Sequence, residues 1–330
     1  MSLMRCAAVI ARRHGGPEVL EWAPDVEVPP PAAGEVRIVQ QAIGLNYADV
    51  YQRKGAPGPH GSTHFPVVLG SQGAGVIESL GAGVTGFEVG QAVTYIHPGA
   101  YAVVRCVPAE RVLALADGLT VDTAAATLLR GMTAEYLLHR LFVVKPGDRV
   151  LVHAAAGGMG QILSSWARAL GAEVIGTVGL PAKRDIALAH GCHHVIDYRQ
   201  EDFVARVHEI TGGRGVAVVY DAVGRDVFVR SLDCLQVRGM AINYGTASGD
   251  VEAFDLQRLH AKSLTVCRPT LRSFIATRDE LVASAARYAE AVRGGAVHAE
   301  VNRRYALRDV QRAHAELESR QTTGAALLVP

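Results

Sequence analysis

The sequence has almost no net charge: 33 Lys and Arg stand against 32 Asp and Glu over 330 residues, a formal balance of +1. That leaves no electrostatic case for nucleic acid or an anionic membrane as a partner. No apolar run approaches the length of a membrane span, and the opening "MSLMRCAAVIARRHGG" puts its arginines after a very short apolar stretch, the wrong order for a secretory signal. Cysteine is scarce and scattered at Cys6, Cys106, Cys192, Cys234 and Cys267, which argues against a disulfide framework and against a zinc ribbon. Cys192, His193 and His194 are consecutive, but neighbours on an extended strand point to opposite faces, so the trio reads as ordinary strand rather than as metal ligands. A soluble protein of a reducing, cytoplasmic compartment is expected.

What is present is an ordinary globular composition, 49% apolar and 20% charged, with 35 glycines. Residues 5 to 120 read as short strands broken by Gly and Pro, among them "AAVIAR", "EVRIVQQAIG", "GAGVIESLG", "AVTYIH", "YAVVRC" and "RVLALA", which suggests a barrel-like β domain. A long helix follows in "DTAAATLLRGMTAEYLLHR", with Asp122 as its expected N-cap. Apolar strands then begin near Arg149, Glu173, His194, Val216 and Gly239, with helical patterns between them, the rhythm of β-α units in a buried parallel sheet. Leu163, Trp166, Ala167 and Leu170 form one buried helix face, which Gly171 closes. Two amphipathic helices, "RDELVASAARYAEAVRGG" and "LRDVQRAHAELESR", precede a terminal apolar strand, "AALLVP". That strand needs a sheet to join, and a return to the first domain would supply one.

The chemistry concentrates in "VLVHAAAGGMGQ", Val150 to Gln161. The dinucleotide fingerprint places three glycines between a strand and a helix. Here Ala155, Gly157 and Gly160 take those positions. The middle one lets a pyrophosphate approach the backbone, the last lets helix pack on strand, and the helix start offers N–H groups to phosphate oxygens. Ala156, Gly158 and Met159 complete the cradle. An NAD site usually carries a carboxylate about 20 residues on, at the end of the second strand. "VIGTVGLPAKR" has none and ends in Lys183 and Arg184, so the absent carboxylate and the nearby cation favour the 2′-phosphate of NADPH.

"HAAAGGMGQ", "WARALGAEVIGTVG", "VVYDAVGRDVFVRSLDCLQ", "RAHAELESR", "GLNYADVYQRKG" and "SLTVCRPTL" resemble the NADPH:quinone oxidoreductases related to ζ-crystallin, in the medium-chain dehydrogenase/reductase superfamily. The resemblance implies an α/β fold: a Rossmann doubly wound parallel sheet over residues 125–267, and a GroES-like β-barrel catalytic domain from residues 1–124 and 268–330. Zinc-dependent cousins carry a G-H-E-x-x-G motif; this chain aligns "GSQGAG", with Ser71 and Gln72 at the His and Glu positions. A cysteine ligand of those cousins corresponds to the neighbourhood of Asn46. A metal-free site is therefore expected, and its hydride acceptor should already be activated by conjugation, as quinones are.

By the same resemblance, Asn46 and Tyr51 lie near the nicotinamide and the acceptor, Asn46 also being placed to cap the helix it opens. Thr133 sits at the nicotinamide end. Lys183, Tyr198 and Arg320 hold the 2′-phosphoadenosine end, and Tyr244, Gly245 and Thr246 lie at a strand's C-terminal end where open sheets bind ligands. Asp221 ends the fourth strand and could cap a turn. The expected function is hydride transfer from NADPH to a quinone in a homodimeric, zinc-independent enzyme. An enone or enal reductase is one alternative, and an NADPH-binding structural, regulatory or RNA-binding protein is another.

Overall fold

The computed structural model describes residues 3–55 and 64–330. The chain divides into two compact units, Met1–Leu129 with Thr277–Ala289 and Ala299–Pro330, and Arg130–Ala276 with Glu290–His298.

The first unit begins with β1 (Met4–Ala11), β2 (Glu21–Val28) and β3 (Glu35–Leu45), followed by helix α1 (Tyr47–Lys54). It continues through β4 (Val67–Val68), β5 (Gln72–Leu80), β6 (Ala92–Ile96), β7 (Val104–Pro108) and β8 (Val112–Ala114), and helix α2 (Val121–Tyr136) then leads the chain onward. Most of β3 is buried, Val36, Ile38 and Ile43 fully so, and it lies antiparallel to both β5 and β7.

In the second unit β9 (Arg149–Val152), α3 (Gly158–Ala169), β10 (Glu173–Val178), α4 (Arg184–Ala189), β11 (His194–Asp197), α5 (Phe203–Thr211) and β12 (Val216–Asp221) alternate in order. The short α6 (Phe228–Ser231), β13 (Leu235–Asn243), β14 (Thr265–Cys267) and α7 (Leu271–Phe274) complete it. The six strands run β11-β10-β9-β12-β13-β14 and every pairing is parallel, the doubly wound order of a Rossmann sheet. All six residues of β12 are buried, as expected of a central strand covered on both faces. Of the expected apolar face of α3, Leu163, Trp166 and Ala167 are buried, Leu170 is the half-buried C-cap, and Gly171 at φ +87° turns the chain after it.

After α8 (Arg278–Arg293) come β15 (Val301–Ala306), α9 (Val310–Glu318) and β16 (Ala325–Val329). The terminal strand does join the first unit: β16 pairs antiparallel with β3 and parallel with β15. Its sheet runs β15-β16-β3-β5-β6-β8, with β7 on β3, and a smaller sheet runs β2-β1-β4.

The start of α2 corrects one expectation. Thr120 and Thr123 exchange hydrogen bonds across the first turn, Thr123 N–H to Thr120 Oγ1 at 3.2 Å and Thr120 N–H to Thr123 Oγ1 at 2.8 Å. Asp122 lies inside that turn and pairs with Arg304 instead of capping. A hydroxyl two residues earlier reaches the free N–H groups, and the carboxylate serves the positive end of the helix from within.

Candidate functional site

In the Rossmann unit the glycine turn is built around Ala154, which adopts φ 54° and accepts a hydrogen bond from Gly157 N–H at 2.9 Å. Gly157 is the N-cap of α3, and the first backbone bond of the helix runs from Gln161 N–H to Gly157 O at 2.9 Å. The N–H groups of Gly158, Met159 and Gly160 therefore precede the helical ladder, the arrangement that receives an anion. A Cβ at Gly160 would lie 2.7 Å from Ala155 Cα, so only glycine lets α3 approach the strand end this closely. Gln161 Nε2 donates to Ala156 O at 3.0 Å and ties down the last residue before the cradle.

Behind the turn His153 is fully buried. Ser231 donates its hydroxyl to Val227 O at 2.8 Å, so Ser231 Oγ accepts from His153 Nε2 (2.8 Å) and His153 Nδ1 accepts from Thr177 (2.9 Å). Burial pushes this imidazole down to about 3, so it is a neutral strut between β9, β10 and α6.

At the end of β10 the chain is bare of carboxylates. A Cβ at Gly179 would stand 2.8 Å from the Tyr198 hydroxyl, which places that phenol against the strand end. Tyr198 N–H donates to Val178 O at 3.2 Å. Lys183 closes the short 3-10 turn Pro181–Lys183 that follows; it is half-buried, and burial lowers its pKa, a cost that an anionic ligand would offset.

The neighbouring strand ends are held by Asp221. Its carboxylate accepts from Val223 N–H (2.7 Å), Gly224 N–H (3.1 Å) and Asn243 Nδ2 (2.8 Å), so it caps a turn. Its carbonyl accepts from Tyr244 N–H at 2.8 Å, and Asn243 Nδ2 also donates to Gly245 O at 2.9 Å. Arg268 donates to Asn243 Oδ1. Burial raises the Asp221 carboxyl to about 6 despite these donors. The cluster fixes the loop of Tyr244, Gly245 and Thr246. These residues, the 156–160 turn, Lys183 and Tyr198 thus share the C-terminal edge of one parallel sheet, where open α/β sheets bind ligands. Thr133, in the same unit, is a buried residue of α2.

In the barrel unit Asn46 precedes α1 and is 2% exposed. It is the N-cap of that helix: its backbone N–H donates to Asp49 Oδ2 at 2.8 Å, and its side chain faces the Asp49 backbone in a capping box. Asn46 Nδ2 donates to Gln72 Oε1 at 3.3 Å, and Gln72 Nε2 donates to Ala124 O at 2.8 Å. Ser71 donates to Asp49 Oδ1 at 2.5 Å and Tyr101 donates to Asp49 Oδ2 at 3.0 Å. His314, held neutral at about 3 by burial and by Arg53, bridges Tyr101 (2.9 Å) and Arg53 (3.0 Å). Arg53 goes on to Glu318 at 2.5 Å, so a buried polar chain pins α1 to α9. Tyr51 lies one helical turn past Tyr47, ring centroids 6.0 Å apart. Tyr47, whose phenol burial raises to about 12, also feels the positive charge of Arg320.

The two positions aligned with the zinc cousins' motif are therefore committed to α1: Ser71 to Asp49 and Gln72 to Asn46. Neither supplies an imidazole or a carboxylate. Among the described residues no group of three or more His, Cys, Asp or Glu converges to hold a metal. Cys192 is buried against Ser164, His193 Nδ1 accepts from Val174 N–H, and His194 contacts Glu173, three separate destinations.

Comparison with known proteins matches residues 32–144 to the alcohol dehydrogenase GroES-like domain and residues 158–287 to the zinc-binding dehydrogenase model. The chain is 45% identical over 325 residues to a quinone oxidoreductase of Salmonella typhimurium, covering 96% of this chain and 98% of that protein. It is 44% identical over 329 residues to a 2-haloacrylate reductase of a Burkholderia species, covering 98% of each. The crystal structure of Escherichia coli quinone oxidoreductase complexed with NADPH superposes with a TM-score of 0.92 at 43% identity, over 98% of this chain and 100% of that one. The chain belongs to the quinone oxidoreductase family of the medium-chain dehydrogenase/reductases. The expected family, the GroES-like domain and the Rossmann sheet are all borne out.

Sequence reasoning missed several members of the site. Gln72, Asp49, Tyr101 and His314 hold the quinone oxidoreductase α1 through contacts spanning tens to hundreds of residues, and no local pattern announces them. Asn243 and Arg268 escaped for the same reason. His153, adjacent to the fingerprint, carried a local signal: a His inside an apolar strand end must find hydrogen-bond partners when buried.

Proposed function

We propose that the protein is a zinc-independent, NADPH-dependent reductase of quinones. The observation that carries the proposal is the strand end at Gly179, where Tyr198 and Lys183 stand and β10 itself ends without a carboxylate. A 2′-phosphate suits this chemistry and a 2′-hydroxyl grip does not. The residues present fit the cofactor: the free N–H groups of Gly158–Gly160 suit a pyrophosphate. Ala156, Gly157, Gly158, Met159 and Gly160 would hold the pyrophosphate. Lys183, Tyr198 and Arg320 would hold the adenosine end, and Asn46, Thr133, Tyr244, Gly245 and Thr246 the nicotinamide end. NADPH supplies a hydride when bound. The chain orients the acceptor, excludes water, and donates a hydrogen bond from Tyr51 to a quinone oxygen, which gathers negative charge as the ring is reduced.

The identity to the 2-haloacrylate reductase, level with that to the quinone oxidoreductases, favours a second reading, reduction of an activated alkene. Parallel measurement of NADPH oxidation with small para- and ortho-quinones, 2-enals and 2-haloacrylate decides between them. Turnover with quinones supports the first reading, turnover confined to alkenes replaces it with the second, and tight binding without turnover would favour a structural or regulatory role. A cytoplasmic homodimer is proposed on family likeness, with light scattering as its test; no described helix is long and apolar enough to cross a membrane. The functional domains are proposed as residues 1–124 with 268–330, GroES-like, and 125–267, Rossmann.

A further inference from the structure

His97 follows β6 in the barrel unit, across from the residue that anchors the start of α1. β6 ends at Ile96, opposite Gln72, and His97 N–H continues that pairing to Ser71 O at 3.0 Å. The His97 side chain is therefore a cross-strand neighbour of Ser71. Ser71 holds the first turn of α1 through Asp49 Oδ1, and α1 carries Tyr51. Backbone bonds fix the loop beyond His97: Gly99 N–H donates to Gly70 O and Tyr101 N–H to Leu69 O, each at 2.8 Å.

Arg105 settles which ring nitrogen of His97 bears the hydrogen. Its guanidinium lies over the Tyr95 ring at 5.0 Å, sends Nη1 to Pro98 O at 2.6 Å and Nη2 to His97 Nδ1 at 2.9 Å. A guanidinium only donates, so Nδ1 must accept. Pro98 O also lies 3.1 Å from Nδ1, but it takes its hydrogen from Arg105. The ring hydrogen therefore sits on Nε2, which has no hydrogen-bond partner among the described residues and is not sealed from solvent. Burial and the Arg105 charge hold the imidazole at about 4, below the ordinary 6.5, so the half-buried ring is uncharged at neutral pH. With Nδ1 occupied, it can only donate. The cation behind it polarises Nε2–H and strengthens that donor.

We propose that His97 is a catalytic residue whose Nε2–H donates a hydrogen bond to a carbonyl oxygen of the acceptor, with Arg105 as the positioning residue that fixes its tautomer, an assignment that rests on the quinone-reductase reading above. A quinone carries two carbonyl oxygens, and both gather negative charge as the ring takes up a hydride. Tyr51 serves one and His97 the other. The neutral imidazole stabilises that charge without giving up its own proton.

Nitrogen NMR of the labelled histidine rings at pH 7, with His97→Gln identifying the signals, should show His97 protonated on Nε2 and bare on Nδ1. A ring protonated on Nδ1 overturns the assignment. Arg105→Lys keeps the charge but cannot span both partners, so the Nδ1–H form should appear; an unchanged tautomer removes Arg105 from its role. Steady-state kinetics then compares His97→Phe, which keeps a ring and loses the donor, with His97→Gln, whose Nε2 restores one. His97→Phe should lose about tenfold in kcat/KM for para-benzoquinone and for a 2-enal, and His97→Gln should recover most of it. Kd for NADPH and Tm should stay close to wild type in both variants. Unchanged kcat/KM in His97→Phe, or a loss that His97→Gln does not restore, overturns the role of His97 alone. No turnover of either carbonyl acceptor by the wild-type protein contradicts the quinone reading and this assignment with it, a distinct outcome.

Discussion

The methyl group of Ala155 occupies space that Gly176 leaves open on the next strand: a Cβ at Gly176 would stand 2.8 Å from Ala155 Cβ. The fingerprint's first glycine is thus replaced by Ala155 while the neighbouring strand carries a glycine opposite it. The left-handed turn is made one residue earlier, at Ala154. The same added Cβ would also meet Cys192 Sγ at 2.5 Å.

Gly176→Ala should therefore overpack the β9–β10–α3 junction and destabilise the protein by roughly 1–3 kcal/mol. Calorimetry should show a lowered Tm, and Ala155→Gly in the same chain should recover part of the loss. The single change Ala155→Gly, which restores the general dinucleotide fingerprint, should leave NADPH affinity nearly unchanged by titration.

Lys183→Ala should lower kcat/KM with NADPH by about tenfold or more, while kcat/KM with NADH stays nearly constant. Steady-state kinetics with both cofactors at one quinone concentration reads the ratio. An unmoved ratio would remove Lys183 from the 2′-phosphate site.

Much of the molecule was legible because its signals are local. Gly and Pro breaks around an apolar run mark β3, and the apolar β-α rhythm from Arg149 marks the Rossmann strands. Two strands carried no such mark. β2, "EWAPDVEV", contains a proline and mostly exposed charges, and β15, "VNRRYA", lies at a sheet edge with three exposed polar residues. Within the site, the fingerprint and the bare strand end could be read because both are contiguous. The Gln72–Asn46 pair could not, because it exists only through the β3–β5 register. Asp122 was a fair N-cap candidate by type, but the competing Thr120 lies closer to the first free N–H groups.

Tyr101→Phe should cost roughly 1–3 kcal/mol, because it removes a donor from Asp49 and leaves the His314 Nε2–H without its partner. Urea unfolding measures the loss. Since Asp49 and Arg53 hold α1, kcat should fall more than stability alone explains under conditions where the variant is folded.

Acid should destabilise the protein between neutrality and pH 5. His153 and His314 are held near 3 and His97 near 4, all below the ordinary 6.5. The unfolded chain therefore binds protons that the folded chain refuses, and stability present above pH 6.5 is lost as pH falls toward the folded values. Asp221, raised to about 6 from 3.8, acts in the opposite sense, since the folded state takes up its proton first. Three histidines against one carboxyl leave a net loss of roughly 2–4 kcal/mol by pH 5. Urea midpoints at pH 7 and pH 5 check the sign, and His153→Gln should flatten the dependence.

Hydride transfer from NADPH to a quinone is read from the initial rate of para-benzoquinone reduction by the purified protein, with NADPH and NADH supplied separately at equal concentration. Turnover is expected, with a preference for NADPH of about tenfold or more. No quinone reduction with either cofactor, or equal rates with both, would contradict it.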